Sequence, residues 1–138
     1  MVIVGFNFSN IEVERKKPMK GKVKITNNVA IKNIEIQELA LGKSKQKGLK
    51  FTFEFLTKYE KDFGQIRLMG DVIFIDDDKK LKEIQAGWNK NKSVPKDVMT
   101  QILNNILNKC NIEALILSQH INLPAPIPLP KVGVEKKK

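Results

Sequence analysis

The side chains best suited to chemistry in this chain are few and poorly placed for one another. There is one cysteine, Cys110, and one histidine, His120, ten residues further on. A cysteine nucleophile needs a base within hydrogen-bond reach and an electropositive, accessible setting. Ten helical residues span about 15 Å along the axis, so the two cannot meet within one helix. Cys110 also falls on an apolar stripe, where free cysteine behaves as a small buried hydrophobe. His120 is expected near a helix C-terminus, where the helix dipole favours a cation. One cysteine and one histidine do not make a zinc ligand set.

The other polar constellations point the same way. Asp76, Asp77 and Asp78 supply oxygen ligands of the kind magnesium takes, but no second acidic cluster accompanies them. Carboxylates before an amphipathic run serve better as a helix cap. The eight glycines are scattered and form neither G-x-G-x-x-G nor G-x-x-x-x-G-K, and no G-x-S-x-G is present. The chain is therefore expected to bind rather than catalyse: not an enzyme, with no cofactor and no metal.

Charge bears on what it binds. The net charge is +10, with lysine clusters at Lys16-Lys17, Lys43 to Lys47, Lys90 to Lys96 and Lys136 to Lys138. Such a charge attracts polyanions through long-range steering and counterion release, which makes a ribosomal or RNA partner one reading. Yet of 25 basic residues only Arg15 and Arg67 are arginine, the type that base-edge and bidentate phosphate recognition favours. The 138 residues, 41% of them hydrophobic and 29% charged, suit one folded domain with a real core. One cysteine fits a reducing compartment, so the cytoplasm is expected. The apolar start, Val2-Ile3-Val4, reads as a strand and not a signal peptide. No apolar run approaches the ~20 residues of a spanning helix.

The elements that must carry these residues are legible from hydrophobic period. Phe6, Phe8, Ile11 and Val13 alternate, with a phase break near Ser9-Asn10 that predicts a bulge. Pro18 and Gly21 mark a turn. Val23 and Ile25 open a second strand, interrupted at Asn27-Asn28, with Ile34, Ile36 and Leu39 continuing it. Lysine-rich residues from Gly42 to Gly48 read as a loop. Leu49, Phe51, Phe53 and Phe55 share one face of the clearest strand. A turn from Tyr59 to Gly64 joins it to Ile66, Leu68, Gly70, Val72 and Phe74 as an antiparallel hairpin. The period then changes. A first helix is predicted over Lys79 to Ala86, with Gly87 as its stop. A second opens at Ser93-Val94-Pro95, with Ser93 or a neighbour as cap. Val98, Met99, Ile102, Leu103, Ile106, Leu107 and Cys110 keep it amphipathic as far as His120.

Two apolar features remain. The phenylalanine stripe fits core packing, given the area aromatics bury. It also fits a stacking platform for RNA, or a sheet face partly open as a groove for an unfolded chain. Asn122 to Pro130 alternates proline with Leu123, Ile127 and Leu129. Alternating proline forbids helix and favours an extended path. The apolar residues between the prolines predict a strap docked on the domain rather than an SH3-type ligand.

The order of these elements is similar to the SecB export-chaperone family. Phe6 to Glu14, the strand pair from Phe51 to Phe74, and Asp97 to Pro130 carry the likeness. Lys109-Cys110-Asn111-Ile112 and Asn122 to Pro130 also resemble a small archaeal group. The resemblance implies an α+β fold: a four-stranded antiparallel sheet followed by two C-terminal helices on one face. It further implies a homodimer or homotetramer, and apolar grooves that hold unfolded or partner polypeptides without nucleotide. SecB proteins present acidic residues to the SecA motor, and this basic chain has no matching acidic motif, so SecA is not an implied partner. Residues 1–130 are expected to form the domain and residues 131–138 a basic tail. Phe51, Phe53, Phe55, Trp88, Ile127 and Leu129 are the candidate client-binding residues. The alternatives are a ribosome- or RNA-associated basic protein and an antitoxin-like regulator dedicated to one protein partner.

Overall fold

A computed structural model describes residues 2–16, 23–41 and 44–127. Four strands, β1 (Val2–Arg15), β2 (Ile25–Leu41), β3 (Ser44–Tyr59) and β4 (Gly64–Ile75), precede two helices, α1 (Asp78–Asn91) and α2 (Lys96–His120). The strands form one antiparallel sheet in the order β1-β4-β3-β2. This is the expected α+β architecture, with both helices over the same sheet face.

Alternation decides that face. Residues directly opposite in an antiparallel ladder point to the same side. Leu49, Phe51, Phe53 and Phe55 of β3 stand opposite Phe74, Val72, Gly70 and Leu68 of β4, and all four β3 residues are fully buried. At Gly70 a Cβ would collide with the Asn7 carbonyl oxygen. The space above it is filled by Phe53, stacked on Phe6 at 5.3 Å between ring centroids. On the reverse face Glu12, Arg67, Glu54 and Lys32 make a chain of ion pairs across all four strands. The Arg67 guanidinium, 2.5 Å from Glu54, holds that carboxyl below its ordinary value.

The expected bulge in β1 is present, as a register shift between Phe8 and Asn10; a second falls between Ile3 and Gly5. The β3–β4 hairpin is also as expected. Strand β2 departs from expectation in two ways. It is not interrupted at Asn27-Asn28, because Asn27 spends its side chain on tertiary hydrogen bonds and leaves its backbone in the ladder. And Lys45 to Lys47 are not loop: they pair with Ala40 to Glu38 and extend the hairpin. Solvated lysines on one edge-hairpin are compatible with a ladder, since the backbone alone makes it. The turn expected at Pro18 and Gly21 lies outside the described residues, as does the basic tail.

Helix α1 starts where the aspartates place it, with the Asp77 carboxylate accepting from the Lys80 N–H at 2.9 Å. It does not stop at Gly87. It runs one turn further to Lys92, which takes the left-handed conformation at φ 58°. The Lys92 N–H donates to Trp88 O at 3.0 Å and the Ser93 N–H to Gly87 O at 3.2 Å, a nested pair one residue wider than a Schellman closure that satisfies the last carbonyls around a left-handed residue. Gly87 serves that closure from inside the helix: a Cβ there would lie 2.9 Å from the Ser93 carbonyl oxygen. Helix α2 begins after Pro95, with no side-chain cap from Ser93 or any other residue. It buries Val98, Ile102, Ile106, Cys110, Ala114 and Ser118, a row at strict four-residue spacing that narrows from branched to small side chains as the helix crosses the sheet.

Candidate functional site

The inner face of edge strand β2 is covered at both ends and open between them. At one end α1 lies over it, burying Leu81 and Ile84 against Ile34. The Gln85 amide donates to the Ile34 carbonyl at 2.8 Å, satisfying a backbone acceptor of the edge. At the other end the segment after α2 folds back. Asn122 turns in the left-handed region, and the Leu123 N–H donates to Ser118 O at 2.8 Å. Leu123 is buried. Three side chains then fasten the segment: the Tyr59 hydroxyl donates to Pro124 O at 2.5 Å, the Asn27 amide to Pro126 O at 2.9 Å, and the Thr57 hydroxyl to the Asn27 amide oxygen at 2.5 Å. Burial pushes the Tyr59 phenol up to about 12, so it remains a donor through the physiological range. The docked strap expected from the proline alternation is therefore present as far as Ile127.

Between these covers lies a cavity of about 510 Å³ lined by Val29, Ile31, Lys32, Trp88, Lys92, Met99 and Leu103. Each wall follows from its element's period. Val29 and Ile31 are two apart on a strand; Trp88 and Lys92, like Met99 and Leu103, are four apart on a helix. The floor and the two helical walls are thus apolar, with a lysine at the β2 bulge and another at the α1 terminus. The Lys92 ammonium lies 4.8 Å from the centroid of the Trp88 ring. Trp88 itself is buried, and its indole N–H has no acceptor among the described residues. A smaller, polar cavity of about 270 Å³ sits at the β3–β4 turn, between Lys58 and Gln65.

The expected client-binding residues divide sharply. Trp88 lines the groove. Phe51, Phe53 and Phe55 line no open surface: at 0% exposure they hold up the sheet beneath it. Ile127 lies half-buried in the strap, and Leu129 is outside the described residues. Val29, Ile31, Lys32, Lys92, Met99 and Leu103 were not singled out by sequence as groove residues. A signal for two of them existed. Met99 and Leu103 flank the Val98–Ile102–Ile106 row, making the apolar face of α2 wider than contact with a sheet requires.

The groups considered for chemistry are elsewhere. Cys110 is buried on the sheet-facing row of α2, and burial together with the nearby Glu113 pushes its thiol up to about 12, the reverse of nucleophile activation. His120 ends α2, exposed. Among the described residues no group of three or more His, Cys, Asp or Glu side chains could hold a metal ion, and no helix is long and apolar enough to cross a membrane.

No protein-family model matches the sequence, and no curated protein matches it. Among solved structures the chain is similar to a SecB-like chaperone of Mycobacterium tuberculosis, seen in complex with a ChAD peptide from the HigA1 antitoxin. The likeness has a TM-score of 0.52 and 11% identity, and spans 98% of this chain and 92% of the other. At that identity it is a likeness of fold alone.

Proposed function

We propose that this protein is a SecB-like, nucleotide-independent holdase that keeps unfolded or partner polypeptides in the groove beside β2. The observation that carries the reading is an apolar groove laid along an open edge strand. An extended chain entering it meets unpaired strand backbone on one side and apolar helix faces on the other, which is how strand addition combines backbone affinity with side-chain pockets. One seated leucine or phenylalanine side chain contributes about 1.5–3 kcal/mol. Binding of this kind is modest and broad, as a holdase requires. The peptide complex of the M. tuberculosis protein supports the choice of a polypeptide as ligand. A homodimer or homotetramer acting in the cytoplasm, without catalysis, belongs to the same proposal.

The test is suppression of aggregation of a chemically unfolded model protein, with nuclease-treated material, at about 0.05 M and about 0.5 M salt. Apolar contacts are not screened, so protection is expected at both. Leu103→Glu, which places a charge in the groove without touching the buried row of α2, is expected to abolish protection while the protein stays folded. Protection at low salt alone would replace this reading with a polyanion-binding one.

A further inference from the structure

The groove is not electrically neutral. Lys32 and Lys92 stand among its lining residues and no aspartate or glutamate does. Lys32 sits at the bulge of β2, between Ile31 and Asn33, with its ammonium 3.5 Å from Glu54. Glu54 and its other partner, Arg67, lie on the reverse face of the sheet, so that pair turns the Lys32 ammonium away from the groove and leaves Lys92 as its cation. Lys92 has no carboxylate within ion-pair distance among the described residues; its ammonium rests on the Trp88 ring.

The backbone under Lys92 strengthens the point. The residue occupies the left-handed position that closes α1, where glycine is preferred and a side chain costs about 1–2 kcal/mol. A lysine at that position is held at the groove mouth by the closing hydrogen bonds to Trp88 and Gly87, with its ammonium directed over the indole. The unpartnered N–H of Trp88 lies in the same wall. Strain retained beside an open cavity is the kind that function explains better than stability does.

We propose that the groove selects extended segments in which a bulky apolar residue is flanked by aspartate or glutamate. The apolar side chain seats on Val29, Ile31, Met99 and Leu103, and a flanking carboxylate reaches Lys92 at the rim. This inference rests on the groove being the polypeptide site, and it adds the chemical class of the segment taken.

Trp88 is the one tryptophan of the chain, so its fluorescence reports occupancy of this groove and no other surface. The experiment titrates the full-length protein with two synthetic peptides. Each carries a leucine–alanine–leucine core, flanked by glutamates in one and by lysines in the other, at about 0.15 M salt. The glutamate-flanked peptide is expected to bind on the order of 3-fold more tightly, the scale of one partly exposed ion pair. Charge reversal in K92E is expected to invert the order. The same charge change far along the β2–β3 hairpin, K45E, is expected to leave it. Should K92E not fold, K92Q is expected to reduce the preference without inverting it. Equal affinities, or a preference that survives K92E, would overturn the charge selection while leaving the groove as a polypeptide site. No saturable Trp88 response to either peptide would overturn both.

Discussion

Strands β2 and β3 lie side by side and turn apolar residues to the same face, yet one is sealed and the other is not. On β3, Phe51, Phe53 and Phe55 are wholly enclosed. On β2, their ladder partners Ile34, Ile31 and Val29 run from sealed to partly open within six residues. Nothing in the alternation of either strand distinguishes them. The difference is made by elements from the far end of the chain: β3 has a strand on each side and helices above, whereas β2 has one neighbour and two partial covers that do not meet. A binding groove here is a gap in coverage, not a special sequence.

The largest effect should come from the sealed strand. Phe53→Ala is expected to cost about 3–5 kcal/mol in denaturant unfolding, through lost burial and a residual cavity. Its peptide response, measured on the folded protein through Trp88, should be little changed. Ile31→Ala on the open strand should cost about 1 kcal/mol, since the half-exposed side chain has less transfer energy to lose, and should weaken peptide binding. If the two substitutions destabilised equally, β2 would be sealed in solution and the contrast would fail.

The next effect tests the cover at the end of the groove. Tyr59→Phe removes the hydroxyl that holds Pro124 and leaves that carbonyl to water, Pro124 being exposed, which costs about 0.5–1.5 kcal/mol, the net worth of one hydrogen bond. Faster amide exchange at Leu123, with α2 unaffected, would show that the strap opens separately. The pH dependence follows from the raised phenol. Its folded value lies above the ordinary 10.0, at about 12, so the folded state keeps the proton longer than the unfolded chain. The stabilisation is complete below pH 10 and is lost as pH rises towards 12. Tyr59→Phe should remove this part of the alkaline decline and leave the part that begins lower with Cys110, whose thiol is raised from 9.0. An unchanged alkaline limb would mean that Tyr59 is not sealed by the strap.

How much of this was legible in sequence can be judged from the same two strands. The phenylalanine stripe, the β1 bulge, the aspartate cap and the long second helix follow from local period and local chemistry, and each was readable. The depth of Phe53 was not, because burial depends on Phe6 and on helices remote in sequence. Nor was the continuity of β2 through Asn27-Asn28: asparagines look like a break until Thr57 and Pro126 are brought to them. Gly87 misled for a related reason. A glycine near a helix end reads as the stop, but this one makes room for the Ser93 carbonyl one turn before the helix ends. The groove combines residues from three elements, so no window of sequence contains it.

The smallest effect on stability should come from the residue that joins the groove to the end of α1. Lys92→Gly relieves the left-handed backbone, a gain of about 1 kcal/mol, and gives up the ammonium–indole contact, a loss of about 0.5–1 kcal/mol. The two nearly cancel, so the unfolding midpoint should hardly move or should rise slightly. The peptide preference should nonetheless be lost, because the rim charge has gone. A site shaped only by folding would answer differently: glycine would improve the protein and change nothing else. Stability and peptide preference measured on this one variant therefore separate a lysine that closes a helix from a lysine that reads a ligand.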